Sequence, residues 1–202
     1  MAQVYIHLPK VEAEQAVTCG MKLSDKKILE FKFAGINYNC FFGWLNPNDD
    51  VECRGDAGYS CVCLNIEDRY CFVGNLDLYP SDLYFKTLLP FNKYVLGKFR
   101  LPRCMVCCTV LPSRATIQGR RLDFPLMYEN SQELYLENMQ SLLEGKFDSF
   151  KNDQLVGFFE LLAGDGRFQK IVKDDVIIFV GDDDEIFTFR KPEITGYQLK
   201  GL

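Results

Sequence analysis

Apolar and polar positions alternate or recur in short blocks along this chain, and those blocks predict the elements. Val4–Leu8 (Val-Tyr-Ile-His-Leu) is rich in β-branched and aromatic residues and predicts a short strand, ended by Pro9. Val11–Cys19 predicts a helix, with Glu12 and Glu14 at its positive end and Gly20 at its C-terminus. In Ile28–Phe33 the residues Leu29, Phe31 and Phe33 fall on one side and Ile28, Glu30 and Lys32 on the other, the mark of a strand with one buried face. Asn46–Gly58 is dense in Asn, Asp, Pro and Gly and predicts a long surface loop. Tyr59–Ile66 predicts a strand with Arg69–Val73 as its neighbour, and Ser81–Lys93 a short helix broken at Pro90. Cys104–Leu111 is almost continuously apolar, which suits a central strand buried on both faces.

The last third is more regular. Asn130 with Glu133 three positions on suits a capped helix start. Leu134, Leu136, Met139, Leu142 and Leu143 give that helix an apolar face, and Gly145 stops it. Asp153 opens a second helix, packed through Leu155, Phe158, Phe159 and Leu162 and ended by Gly164 and Gly166. Val176–Val180 and Glu185–Arg190 predict a hairpin around Gly181-Asp182-Asp183-Asp184, and the final residues a loose tail. The expected fold class is α+β: one domain over residues 1–202, with mixed or antiparallel strands and four or five short helices. Residues 130–202 are expected to pack on the same core.

Composition narrows the chemistry. The chain has 202 residues, 48 % hydrophobic and 25 % charged, so most of it is expected to fold. It holds a single His, which excludes every mechanism that needs two. The net charge is −5, which opposes nonspecific binding to nucleic acid. Lys93, Lys98, Arg100, Arg103, Arg114, Arg120 and Arg121 read either as solvated strand edges and loops or as a local basic strip facing phosphate or nucleic acid. Nine cysteines is an odd number, and no export signal or membrane-spanning stretch is visible. The expectation is a cytoplasmic protein with reduced thiols and no membrane partner.

Motifs are sparse. Cys61-x-Cys63 and Cys104-x-x-Cys107 lie within strand patterns, where the second pair would point to opposite faces. Core thiols are therefore expected and no metal, with zinc as the competing reading. Asp49-Asp50, Asp174-Asp175 and Asp182–Glu185 read as solvated turn acids. No Gly-x-Gly-x-x-Gly or Walker pattern is present.

The segment Tyr5-Ile6-His7-Leu8, a helix, then Gly20-Met21-Lys22-Leu23-Ser24 resembles the opening of ADP-ribosyltransferase-like enzymes, in particular the DNA-modifying toxins and the RNA 2′-phosphotransferases. The resemblance covers about twenty residues, and no Arg-Ser-Glu pattern is visible. It implies NAD as cofactor and a nucleic acid or protein as acceptor. It implies that His7 contacts a ribose of NAD and that Tyr59 supplies an aromatic contact. It implies Glu129 as the catalytic acid, with Glu133 in reserve. Equally, a lone His at a strand end is an ordinary structural residue. The other functional reading is a non-catalytic protein of phage, viral or adaptor type. It would bind a host or cellular protein through an acidic, aromatic-bearing surface on Asn39–Gly58, with Phe41, Phe42 and Trp44 as anchors.

Overall fold

The computed structural model describes residues 1–191 apart from Arg121, Leu122, Phe124, Asp183 and Asp184. Its class is α+β with antiparallel sheets and five α-helices among the described residues, as the pattern predicts. The described residues divide into two compact units, residues 1–135 and 136–191.

The first unit is built on one antiparallel sheet. Its path runs β6 (Leu89–Pro90), β5 (Cys71–Asn75), β7 (Pro102–Val106), β3 (Ile36–Trp44), β1 (Ala2–Pro9), β4 (Tyr59–Ile66) and β8 (Ala115–Ile117), with β2 (Leu29–Phe33) paired to β3 off the path. The long β1–β4 ladder is unbroken from Ala2↔Ile66 to Pro9↔Tyr59. One face carries Val4 and Leu8 of β1 and Val62, Leu64 and Ile66 of β4. Helix α1 (Lys10–Cys19) contributes Ala13 and Ala16 to the same cluster. These two alanines let the helix sit close to the strands. Gly20 ends α1 with φ +82°, its N–H donating to the Ala16 carbonyl. A Cβ there would stand 2.5 Å from the Val110 carbonyl oxygen, so no other residue fits this turn.

The opposite face carries a second cluster at the β5–β7–β3 end. It joins Phe31 and Phe33 of β2, Phe42, Phe72 and Met105 to Tyr84 of α3 (Asp82–Lys86). Leu29, Phe31 and Phe33 pack on it, as their spacing predicts.

Several boundaries differ from expectation, each for a physical reason. Asn39–Trp44 belongs to strand β3 rather than to a loop. Its paired Phe41 and Phe42 break the alternation because β3 is central, and they enter the clusters on opposite faces. They are therefore core, and only Trp44 of the expected interface anchors stays partly open. Segment Arg69–Val73 does not pair with β4: the observed strand, Cys71–Asn75, lies between β6 and β7. Helix α3 ends at Lys86, well short of Pro90, and β7 ends at Val106.

The second unit has its own cluster. Helices α4 (Ser131–Leu143) and α5 (Asn152–Gly164) supply Leu142, Val156, Phe158 and Phe159. A three-stranded sheet of β9 (Phe168–Lys173), β10 (Val176–Gly181) and β11 (Ile186–Arg190) adds Ile177 and Phe179. Strand β9, whose residues are largely exposed, extends the predicted hairpin to three strands. The ring of Phe159 meets those of Phe147, Phe168, Phe179, Phe187 and Phe189 at centroid distances of 4.5–5.8 Å. On α4 the packed stripe is narrower than its sequence predicts, for Leu136 and Leu143 are exposed. Asp183, Asp184 and the tail lie outside the described residues.

Candidate functional site

Alternation along β1 sends Tyr5 and His7 to the face opposite α1. Register then assembles one row across that face: Gly74, Arg103, Trp44, Tyr5, Cys63 and Thr116, from β5 through β7, β3, β1 and β4 to β8. One pair further along the same face, His7 stands opposite Cys61. At this end the face is polar and aromatic, in contrast to the aliphatic face beneath α1.

The loop after β3 is held against this region by its Asn and Asp side chains. Asn46 Nδ2 donates to the Tyr128 carbonyl at 3.0 Å and Asn48 Nδ2 to the Glu129 carbonyl at 2.8 Å. Asp49 accepts from the Ser131 N–H at 2.8 Å and from the Ser131 hydroxyl at 2.7 Å. Asn130 caps α4 by accepting from the Glu133 N–H at 2.9 Å, the predicted capping position. This frame fixes Asp50. One of its oxygens accepts from the Cys53 N–H at 3.1 Å, and the other lies 3.5 Å from His7 Nδ1.

The His7 side chain is only 7 % exposed, and its Nδ1 is buried without a hydrogen-bond partner among the described residues. Burial lowers the imidazole pKa below its usual value, with Asp50 pulling the other way. Burial thus favours the neutral imidazole, which donates from one ring nitrogen and accepts at the other. Asp49 is raised by burial against the pull of its Ser131 hydrogen bonds. The Tyr5 hydroxyl pKa is pushed up to about 12, mainly by burial, with the neighbouring Cys63 and Cys61 thiols adding to the shift. Burial pushes the Cys61 thiol up to about 12 as well, with Cys63, Asp50 and Asp123 adding to the shift. A thiol held protonated is a poor nucleophile, so the His7–Cys61 pairing does not activate a cysteine.

The residues singled out from sequence fall in different places. His7 and Tyr59 share the face, Tyr59 standing opposite Pro9 at the sheet's end and partly exposed. Glu129 and Glu133 have exposed side chains, in the segment before α4 and in its first turn. Among the described residues Glu129 is tied to the site through its carbonyl, which accepts from Asn48 Nδ2. The carboxylate that faces His7 is Asp50, and Asp49 is half-buried. These two are structural members of the site rather than solvated turn acids. An Asn-Pro-Asn-Asp-Asp run directly after an apolar strand is the signal that points to them, because such side chains hydrogen-bond backbone close by.

The expected basic strip is dispersed. Arg100 pairs with Asp77 and Arg120 with Glu14, while Arg114 reaches the Met1 sulfur. Arg103 lies on the polar face, and Arg121 is outside the described residues. All nine cysteines are free. Cys61 and Cys63 lie on the polar face and not in the apolar cluster, whereas Cys104 is fully buried beneath α1's face. Among the described residues no group of three or more His, Cys, Asp or Glu side chains could hold a metal ion. No helix among them is long and apolar enough to cross a membrane. Comparison with protein-family models, with curated proteins and with solved structures finds no match.

Proposed function

We propose that this chain is an ADP-ribosyltransferase-like protein that binds NAD on the sheet face around His7. It would pass ADP-ribose to a nucleic acid or protein, or act as a degenerate member that binds without turnover. The observation that carries this reading is the His7 imidazole: buried, with no hydrogen-bond partner at Nδ1 among the described residues, and set on a polar, aromatic face beside the Asp50 carboxylate. A ribose hydroxyl can both donate and accept, and so can supply the partner that Nδ1 lacks. Tyr59 would flank the cofactor. Departure of nicotinamide leaves a positively charged sugar, which a carboxylate stabilises. Glu129 and Glu133 are the acids that the resemblance nominates, and Asp50 is the acid nearest the imidazole.

The test is NAD consumption with DNA, RNA and protein acceptors, in the wild type and in His7→Ala, Glu129→Ala, Glu133→Ala and Asp50→Ala. The expected result is turnover that His7→Ala abolishes together with at least one of the acid variants. Full activity in all four variants removes these residues from the site. NAD binding without turnover assigns the degenerate form. Neither binding nor turnover contradicts the reading.

A further inference from the structure

Two buried donors on the same sheet face have no acceptor among the described residues. Arg103 is in register with Trp44 on one side and Gly74 on the other. Its guanidinium carbon lies 4.6 Å from the ring centroids of both Phe42 and Trp44. Rings in this position favour the cation but accept none of its in-plane N–H bonds. Among the described residues its guanidinium makes no hydrogen bond or salt bridge, and its Nε is buried without a partner. Asp50 and Glu52 act on it only at longer range.

The second donor is Tyr84. It is wholly buried, and its hydroxyl also has no partner among the described residues. That hydroxyl lies over Gly74: a Cβ added to Gly74 would stand 2.8 Å from it and 2.6 Å from the ring. Gly74 thus makes room for Tyr84 beside its register partner Arg103. Tyr84 and Arg103 are electrostatic neighbours, each acting on the ionisation of the other.

We propose that Arg103 and Tyr84 form a binding site for a phosphate-type oxyanion beside the Trp44 ring. A water molecule could accept from Tyr84 but would leave the guanidinium charge uncompensated. An oxyanion offers several acceptors and neutralises the charge, and the planar guanidinium fork matches phosphate geometry. The proposal goes beyond the NAD reading and uses different residues, so either can fail alone.

Trp44 is the only tryptophan and touches Arg103, so its fluorescence reports the site directly. The experiment titrates the full chain with inorganic pyrophosphate at low ionic strength, with chloride at matched ionic strength as control. A saturable change with pyrophosphate alone is expected. Its midpoint should weaken about ten-fold in Arg103→Lys, which keeps the charge but loses the fork, and about three-fold in Tyr84→Phe. Circular dichroism checks that each variant is folded, and the second serves if the first is not. No response beyond chloride, or an unchanged midpoint in both folded variants, overturns the site. A parallel ADP-ribose titration identifies the source: tighter binding than pyrophosphate marks a nucleotide phosphate, equal binding a free oxyanion. Pyrophosphate binding without any NAD response retains this site and removes the NAD reading. The reverse result removes this site and retains the NAD reading.

Discussion

The two faces of β1 and β4 are built from alternate residues of the same strands, yet they do opposite work. On one, Val4, Leu8, Val62, Leu64 and Ile66 lock against Ala13 and Ala16 of α1 with no polar side chain among them. On the other, Tyr5, His7, Cys61 and Cys63 lie beside Trp44 and Arg103, and buried polar atoms stay unpaired. A strand's two-residue period makes this separation possible, because a change on one face need not disturb the other. Stability is concentrated where the residues are apolar and interlocked. Chemistry is available where polar groups are held in place but not satisfied.

Four substitutions break or sharpen that contrast. Leu64→Ala, on the apolar face, should cost about 3 kcal/mol, from lost burial plus the cavity left behind. The check is the urea midpoint, and a loss below about 1 kcal/mol would mean that this face is not the stabilising one. Asp49→Ala should cost about 2 kcal/mol, since it strands the Ser131 N–H and hydroxyl that it accepts from. It should also free the loop that carries Asp50, read as faster amide exchange at Cys53, whose N–H bonds Asp50. Tyr5→Phe, on the polar face, should cost less than about 1 kcal/mol and remove a tyrosine that ionises near pH 12. Absorbance titration of the phenolate follows the second effect. A loss as large as that of Leu64→Ala would erase the difference between the faces.

The smallest effect concerns pH. Burial lowers the folded-state pKa of His7 below the usual 6.5, so the unfolded chain binds that proton more readily. The associated stability is complete above about pH 6.5. It falls as pH drops through the unfolded value towards the lower folded one, with Asp50 limiting the loss. Urea midpoints of wild type and His7→Asn between pH 7.5 and pH 5 should therefore converge on acidification. Divergence would mean that the fold favours the charged imidazole.

Much of the apolar face is legible in the sequence. The β-branched run of β1, the even alternation of Tyr59–Ile66 and the helix ended by Gly20 each carry a local signal, and the elements follow it closely. Strand β3 is not legible, because a strand buried on both faces loses its alternation, and Asn, Cys and Gly among the aromatics resemble loop composition. The site is legible only in part. His7 stands out as the single His, and Tyr59 does fall on its face. Asp50 reaches His7 through a loop fixed by contacts 82 residues away in sequence, such as Asn46 to Tyr128. Arg103 meets Trp44 only through strand register. Neither long-range pairing leaves a local signature.

The single histidine allows a direct test of the central claim, that the face around His7 is where NAD binds. One imidazole gives one resolvable set of ring resonances in the proton NMR spectrum of the whole protein. Adding NAD at pH 7 should shift those resonances saturably and lower the imidazole's apparent pKa or raise it, according to the hydrogen bond formed. Ring resonances that stay in place across millimolar NAD, in a chain whose remaining spectrum is that of the folded protein, would contradict the claim.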